Sequence, residues 1–231
     1  MKRVIILSAL ILAIVASAGT ASGQTKETRD VKNFTKVNFG VSGNLYINIG
    51  PEFKLVLEGD KDDLEEIETE VSGGKLVIKK DSWHNFNEKV TVYITMPEID
   101  ALGVSGSGKA EIRDAVKADV LHLSVSGSGK LYASQLSVSK LDCSISGSGD
   151  IYINESGEAG MADISVSGSG NYVGQPLRIE NASIHISGSG NCTCNVTGSL
   201  KASVSGSGNV SYEGNPRVDA HVSGSGKVRS M

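Results

Sequence analysis

The chain has 231 residues, 22 Lys and Arg against 26 Asp and Glu, a formal charge of −4, and three cysteines. That balance offers nothing to draw nucleic acid or an anionic membrane. Three thiols are too few, and odd in number, for a disulfide scaffold, while the length is ample for one continuous core.

The first residues read as a secretory signal, predicted over 1–23. Lys2 and Arg3 precede an apolar run from Val4 to Val15, and small residues follow from Ala16 to Gly23. Cleavage after Ala18 or after Gly23 fits the small-residue preference, and Gln24 is the favoured new N-terminus. The apolar run is too short to span a bilayer comfortably, and no later segment is apolar enough to do so. An exported protein is therefore expected, in the periplasm, on the outer surface or outside the cell.

Residues 24–100 hold short alternating runs at Lys36–Phe39, Asn44–Ile49, Lys54–Leu57, Lys75–Lys79 and Val90–Met96. Between them lie an acidic stretch, Asp60–Glu70, and a loop, Asp81–Glu88, with the only Trp. Val41-Ser-Gly-Asn44 and Val71-Ser-Gly-Gly74 look like worn copies of a motif that dominates the rest of the chain. The region is expected to form irregular β-coils that cap a regular array over 101–231, within one continuous domain spanning 24–231.

That motif is Ser-Gly-Ser-Gly. It begins at Ser105, Ser126, Ser146, Ser167, Ser187, Ser205 and Ser223, in steps of 21, 20, 21, 20, 18 and 18 residues. Aligned on the first Ser, the preceding residue is Val104, Val125, Ile145, Val166, Ile186, Val204 or Val222. Two further back stand Leu102, Leu123, Cys143, Ile164, Ile184, Ala202 and Ala220. Apolar residues at every second position, often β-branched, have the period of a half-buried strand. Both glycines of each tetrad fall on the inward parity and suggest a bend or close backbone approach. The serines, with Ser124, Ser144, Ser165 and Ser203, fall outward. Coils of about 20 residues, each closing one turn, predict an all-β fold: a single-stranded parallel β-helix. Rungs about 4.8 Å apart give six steps a span of about 29 Å.

The array's candidate chemistry lies in a few columns. Asp142 and Asp163 share an outward column on neighbouring rungs, but no basic or third acidic neighbour is evident, so solvated surface residues are expected. His185 and His221 share a column two rungs apart, too far for one metal ion. The residue after the tetrad is Asp only once in seven, which is no calcium array; Asn171, Asn191 and Asn209 there suggest a stacked amide ladder. Cys143, Cys192 and Cys194 fall on inward columns, as small buried side chains. No catalytic residue, cofactor or metal is expected. Tyr132 and Tyr152 occupy one outward column on adjacent rungs and are the candidate ligand contacts, a platform for a sugar ring or a protein partner. The chain stops five residues after the last tetrad with no polar cap, so self-association through the last rung is a further expectation.

A β-rich segment runs into Val90-Thr-Val-Tyr-Ile-Thr-Met-Pro97, then Leu102-Gly-Val-Ser-Gly-Ser-Gly108, then regularly spaced Gly-Ser-Gly turns. The pattern resembles the auto-transporter adhesin head GIN domain family, exported proteins common in Bacteroidetes, over roughly residues 30–230. The resemblance implies a right-handed parallel β-helix in the periplasm or at the surface, and brings no catalytic residues. The expected function is a non-enzymatic adhesin-like, binding or scaffold protein of the bacterial envelope, with a glycan or a surface protein as partner. The alternative is a polysaccharide-active enzyme or carbohydrate-binding module using the lateral face.

Overall fold

The computed structural model describes residues 24–80 and 90–231; the predicted signal over 1–23 and the loop Asp81–Glu88 lie outside the described residues. Strands make up 73% and helix 3%, an all-β architecture of parallel coils of about 20 residues stacked into a solenoid of about six turns. The columns read from the sequence are the physical register. Val125 lies beside Val104 and Ile145, Ser126 beside Ser105 and Ser146, and Gly127 beside Gly106 and Gly147. The same pairing continues from Gly168 through Gly188 and Gly206 to Gly224. Each column of apolar residues becomes a row of like side chains inside the coil, joined in one cluster from Phe34 to Val210.

The tetrad makes one corner of every coil, and its two glycines do different work. The first sits on the bend with φ between 98° and 125° in all seven copies, a region that side chains with a Cβ avoid. Turned this way, the Gly147 carbonyl accepts two amides of the next coil, from Ser169 at 2.8 Å and Gly170 at 3.1 Å. The second glycine alone faces inward. A Cβ on Gly170 would stand 2.1 Å from the Gly149 carbonyl oxygen and 2.6 Å from Ile145 Cγ2. The expectation that both glycines face inward is thus corrected, because a strand's alternation is interrupted where the chain turns. A second corner falls at Asp119, Ser139 and Gly160, where pairing between neighbouring coils lapses by one residue.

At the N-terminal end the spatial order departs from chain order. Lys36–Gly40 lies between Lys75–Lys80 and Ala101–Gly106, and Asn44–Ile49 between Thr91–Met96 and Lys109–Ile112, all parallel. The coil 36–49 is therefore inserted between two later ones. Antiparallel strands then cover the outermost coil. Lys54–Gly59 pairs with Thr91–Met96, Ile67–Ser72 with Lys75–Lys80, and Thr25–Arg29 with Lys54–Gly59. A five-residue helix, Lys61–Glu65, occupies part of the acidic stretch and buries Leu64.

Of the two worn motifs, Val41-Ser-Gly-Asn44 does stand at the tetrad corner, its Asn44 beside Lys109. Val71-Ser-Gly-Gly74 does not. Ser72 pairs directly with Lys75, and Gly73 and Gly74 have φ of 57° and 73°. Two successive positive φ values close a two-residue hairpin, which reverses the chain where a tetrad carries it onward.

The far end is different. Val218 and Val222 of the last coil are 39% and 37% exposed, whereas Leu200 and Val204, one coil earlier in the same columns, are 1% exposed.

These faces make opposite demands on substitution. Val166→Asp puts an unpaired carboxylate in the core and should cost about 3 kcal/mol or more, while Ser167→Asp, outward, should stay within about 0.5 kcal/mol. Gly170→Val should likewise cost far more than Ser169→Val. Denaturant unfolding of the four variants checks this, and equal losses within either pair would mean the faces are misassigned.

Candidate binding face

The strands that follow each tetrad carry the most varied outer surface. One column there reads, from coil to coil, Tyr93, Tyr46, Glu111, Tyr132, Tyr152, Val173, Thr193, Ser211 and Arg229. The four tyrosines are half-buried and form two stacked pairs. Tyr132 and Tyr152 have ring centroids 4.9 Å apart and planes 10° apart; for Tyr46 and Tyr93 the values are 5.6 Å and 28°.

Charges link the pairs. Lys109 Nζ lies 4.7 Å from the Tyr132 ring centroid, and the Arg113 guanidinium 3.6 Å from that of Tyr46. Glu111 stands between them, 3.3 Å from Lys109 Nζ and 3.8 Å from Arg113 Nε. The result is one row: aromatic pair, cation, anion, cation, aromatic pair.

Tyr132 and Tyr152 are where the sequence placed them, but their rings face each other. The row therefore offers solvent its ring edges and phenol groups in place of a flat aromatic platform. Tyr46 and Tyr93 were missed, because coil 36–49 is out of chain order. Counting from the worn tetrad Val41–Asn44 would have put Tyr46 in the column.

A buried carboxylate anchors the row. Asp150 accepts the Tyr152 hydroxyl at 3.2 Å, the Asn171 amide at 3.1 Å and Asn171 Nδ2 at 2.8 Å. From there Asn191 Nδ2 donates to Asn171 Oδ1 at 2.9 Å, and Asn209 Nδ2 to Asn191 Oδ1 at 3.0 Å. This is the amide ladder expected from the sequence, with Asp150 as its terminal acceptor. Partial burial, then Asp150, raise the Tyr152 phenol above its ordinary pKa; burial, then Glu58, do the same for Tyr93. Both stay protonated, and can donate, at physiological pH.

The serine face holds the paired carboxylates. Here the sequence reading is corrected: Asp142 and Asp163 do have a basic neighbour. Lys140 Nζ bridges them, 2.8 Å from Asp142 Oδ1 and 2.9 Å from Asp163 Oδ2, and His122 Nδ1 is 3.1 Å from Asp142 Oδ2. Lys140 precedes Asp142 by two residues, so strand alternation puts it on the same face. Its pKa is raised by the hydrogen bonds to Asp142 and then Asp163. A shallow groove of about 420 Å³ runs beside this cluster, lined by Ser124, Ser144, Ser165 and His185. His185 and His221 are separated by Ser203, and among the described residues no group of three or more His, Cys, Asp and Glu could hold a metal ion.

The three cysteines are buried free thiols. Burial, then Asp142, push the Cys143 thiol far above its ordinary pKa, and the contact with Cys194, then burial, raise Cys192. Tyr172 packs beside them, fully buried, and fills the space over Gly174; among the described residues its hydroxyl has no hydrogen-bond partner. A thiol reagent at neutral pH should label none of the three in the folded protein and all three after denaturation. Asp150→Ala, which orphans the Asn171 donors and releases Tyr152, should cost about 1–3 kcal/mol in unfolding free energy.

A family model described as "putative auto-transporter adhesin, head GIN domain" matches residues 33–216. No curated protein matches the chain. Among solved structures, a putative adhesin from Bacteroides fragilis superposes with a TM-score of 0.86 at 25% identity, covering 91% of this chain and 98% of that one. A putative adhesin from Parabacteroides distasonis gives 0.73 at 23%, covering 90% and 97%. A putative lipid binding protein from the same species gives 0.72 at 21%, covering 90% and 97%. With the match to the family model spanning most of its length, the chain belongs to the putative auto-transporter adhesin head GIN domain family.

Proposed function

We propose that the protein is an exported, non-enzymatic, adhesin-like solenoid of the bacterial envelope whose tyrosine row engages a glycan. The observation that carries this reading is the row itself. Two aromatic pairs lie in line with the solenoid axis, five rungs from Tyr93 to Tyr152, about 19 Å at about 4.8 Å per rung. A hydroxyl-rich chain lying along that axis would meet ring edges, phenol donors and the Lys109–Glu111–Arg113 charges in succession. Each contact is weak, and affinity comes from their number. Family membership supports the adhesive role, and the solved relatives named as putative adhesins support it further.

The alternative of a polysaccharide-active enzyme draws less support. A general acid and base need carboxylates free to exchange a proton with substrate, whereas Asp142 and Asp163 share the Lys140 ammonium. The proposal takes 24–231 as a single domain after removal of 1–23. Self-association through the last coil belongs to it too, since two rows held together gain avidity without new contacts.

The test is a glycan-array screen of the purified protein beside the Tyr132→Ala/Tyr152→Ala double variant. Specific binding is expected, weakened about tenfold or more in the folded variant, as when two aromatic contacts of about 1 kcal/mol each are lost. Absence of any glycan binding at micromolar protein, or binding that the variant retains in full, overturns the assignment.

A further inference from the structure

The last coil carries an open strand edge. Arg217–Gly224 pairs on one side with Ser199–Gly206 and, among the described residues, with nothing on the other. Its inward columns hold Val218, Ala220 and Val222, with the two valines more than a third exposed. The direction of its backbone groups follows from the repeat. The His122 amide reaches back to the Asp100 carbonyl, 2.8 Å away on the preceding coil. Asp219 is the counterpart of His122, so Asp219, His221 and Ser223 also turn their backbone groups backward. The N–H and C=O groups of Val218, Ala220 and Val222 therefore point out along the free edge, apolar side chains inward, ready to extend a sheet.

We infer, resting on the self-association proposed above, that this edge pairs antiparallel with the same strand of a second copy, about a two-fold axis through Ala220. The sequence is complementary to itself in that register. Val218 faces Val222 of the mate and Asp219 faces His221, each contact made twice, and Ala220 faces Ala220 once, on the axis. Val218, Ala220 and Val222 are the residues whose backbone groups are free, so every one of these apolar pairs is a hydrogen-bonded pair of the new ladder. The two cores become continuous, and the exposed valines are covered. A filament does not form by this route. The contact is isologous and closes at two copies.

Sedimentation velocity on the purified protein is the test, with dimer mass rising with concentration as the expected result. Ala220→Pro removes a donor that faces only the free edge, so it should leave the strand circular-dichroism spectrum intact and abolish the dimer. Asp219→His should weaken the dimer, and Asp219→His combined with His221→Asp should restore it, because the exchanged pair still faces its opposite charge. A protein that stays monomeric at every concentration, or a dimer indifferent to Ala220→Pro, overturns the inference. Loss in Asp219→His without recovery in the double variant overturns the register.

Discussion

The structure depends on how closely successive coils approach at the tetrad corner. There the backbone of one coil passes so near the next that a Cβ would stand 2.1 Å to 2.7 Å from a carbonyl oxygen, as at Gly129, Gly149, Gly170 and Gly208. Only a residue without a side chain fits. In return, the carbonyl of the bend receives two amides from the following coil, for example Ser148 and Gly149 on Gly127. A contact that tolerates no side chain also tolerates no slippage. Shifting one coil by a residue would put a Ser where the Gly must be, so the corner fixes the register of the whole sheet.

Fixed register turns sequence columns into rows, and rows are what the surface is made of. Inside, like side chains stack from coil to coil in one cluster. Outside, the same rule writes the serine rows, the amide ladder from Asp150 to Asn209 and the tyrosine row. It also explains why the tyrosines stack face to face. Residues in one column lie a single rung apart, close to the thickness of two aromatic rings in contact. The recognition chemistry of such a surface is linear, set by what each coil contributes at one position.

This is why so much of the fold is legible in the sequence. A constant spacing of tetrads gives the columns directly, and with them the buried valines, the outward serines, Tyr132 beside Tyr152 and the Asn ladder. What spacing cannot give is which coil lies next to which when chain order and spatial order part company. Tyr46 and Tyr93 joined the row only because coil 36–49 is inserted between later coils. The hairpin at Gly73 and Gly74 looks like a tetrad in sequence because a reversing turn and a corner use the same residue types. Lys140 lies outside the column of Asp142 and Asp163, two residues back along the strand, and reaches both only through its long side chain.

The inserted coil also constrains the order in which the chain can acquire its structure. Lys36 is hydrogen-bonded between strands that hold Lys75 and Ala101, and Asn44–Ile49 waits for Lys109–Ile112. A nascent chain emerging N-terminus first therefore has no complete first coil to build upon. Its early residues stay without their partners until about half the polypeptide is available, because loops of this length must close before their contacts form. Once Ala101–Ile112 is in place, every later coil adds to a finished neighbour, so slow nucleation at the covered end gives way to stepwise growth toward Met231.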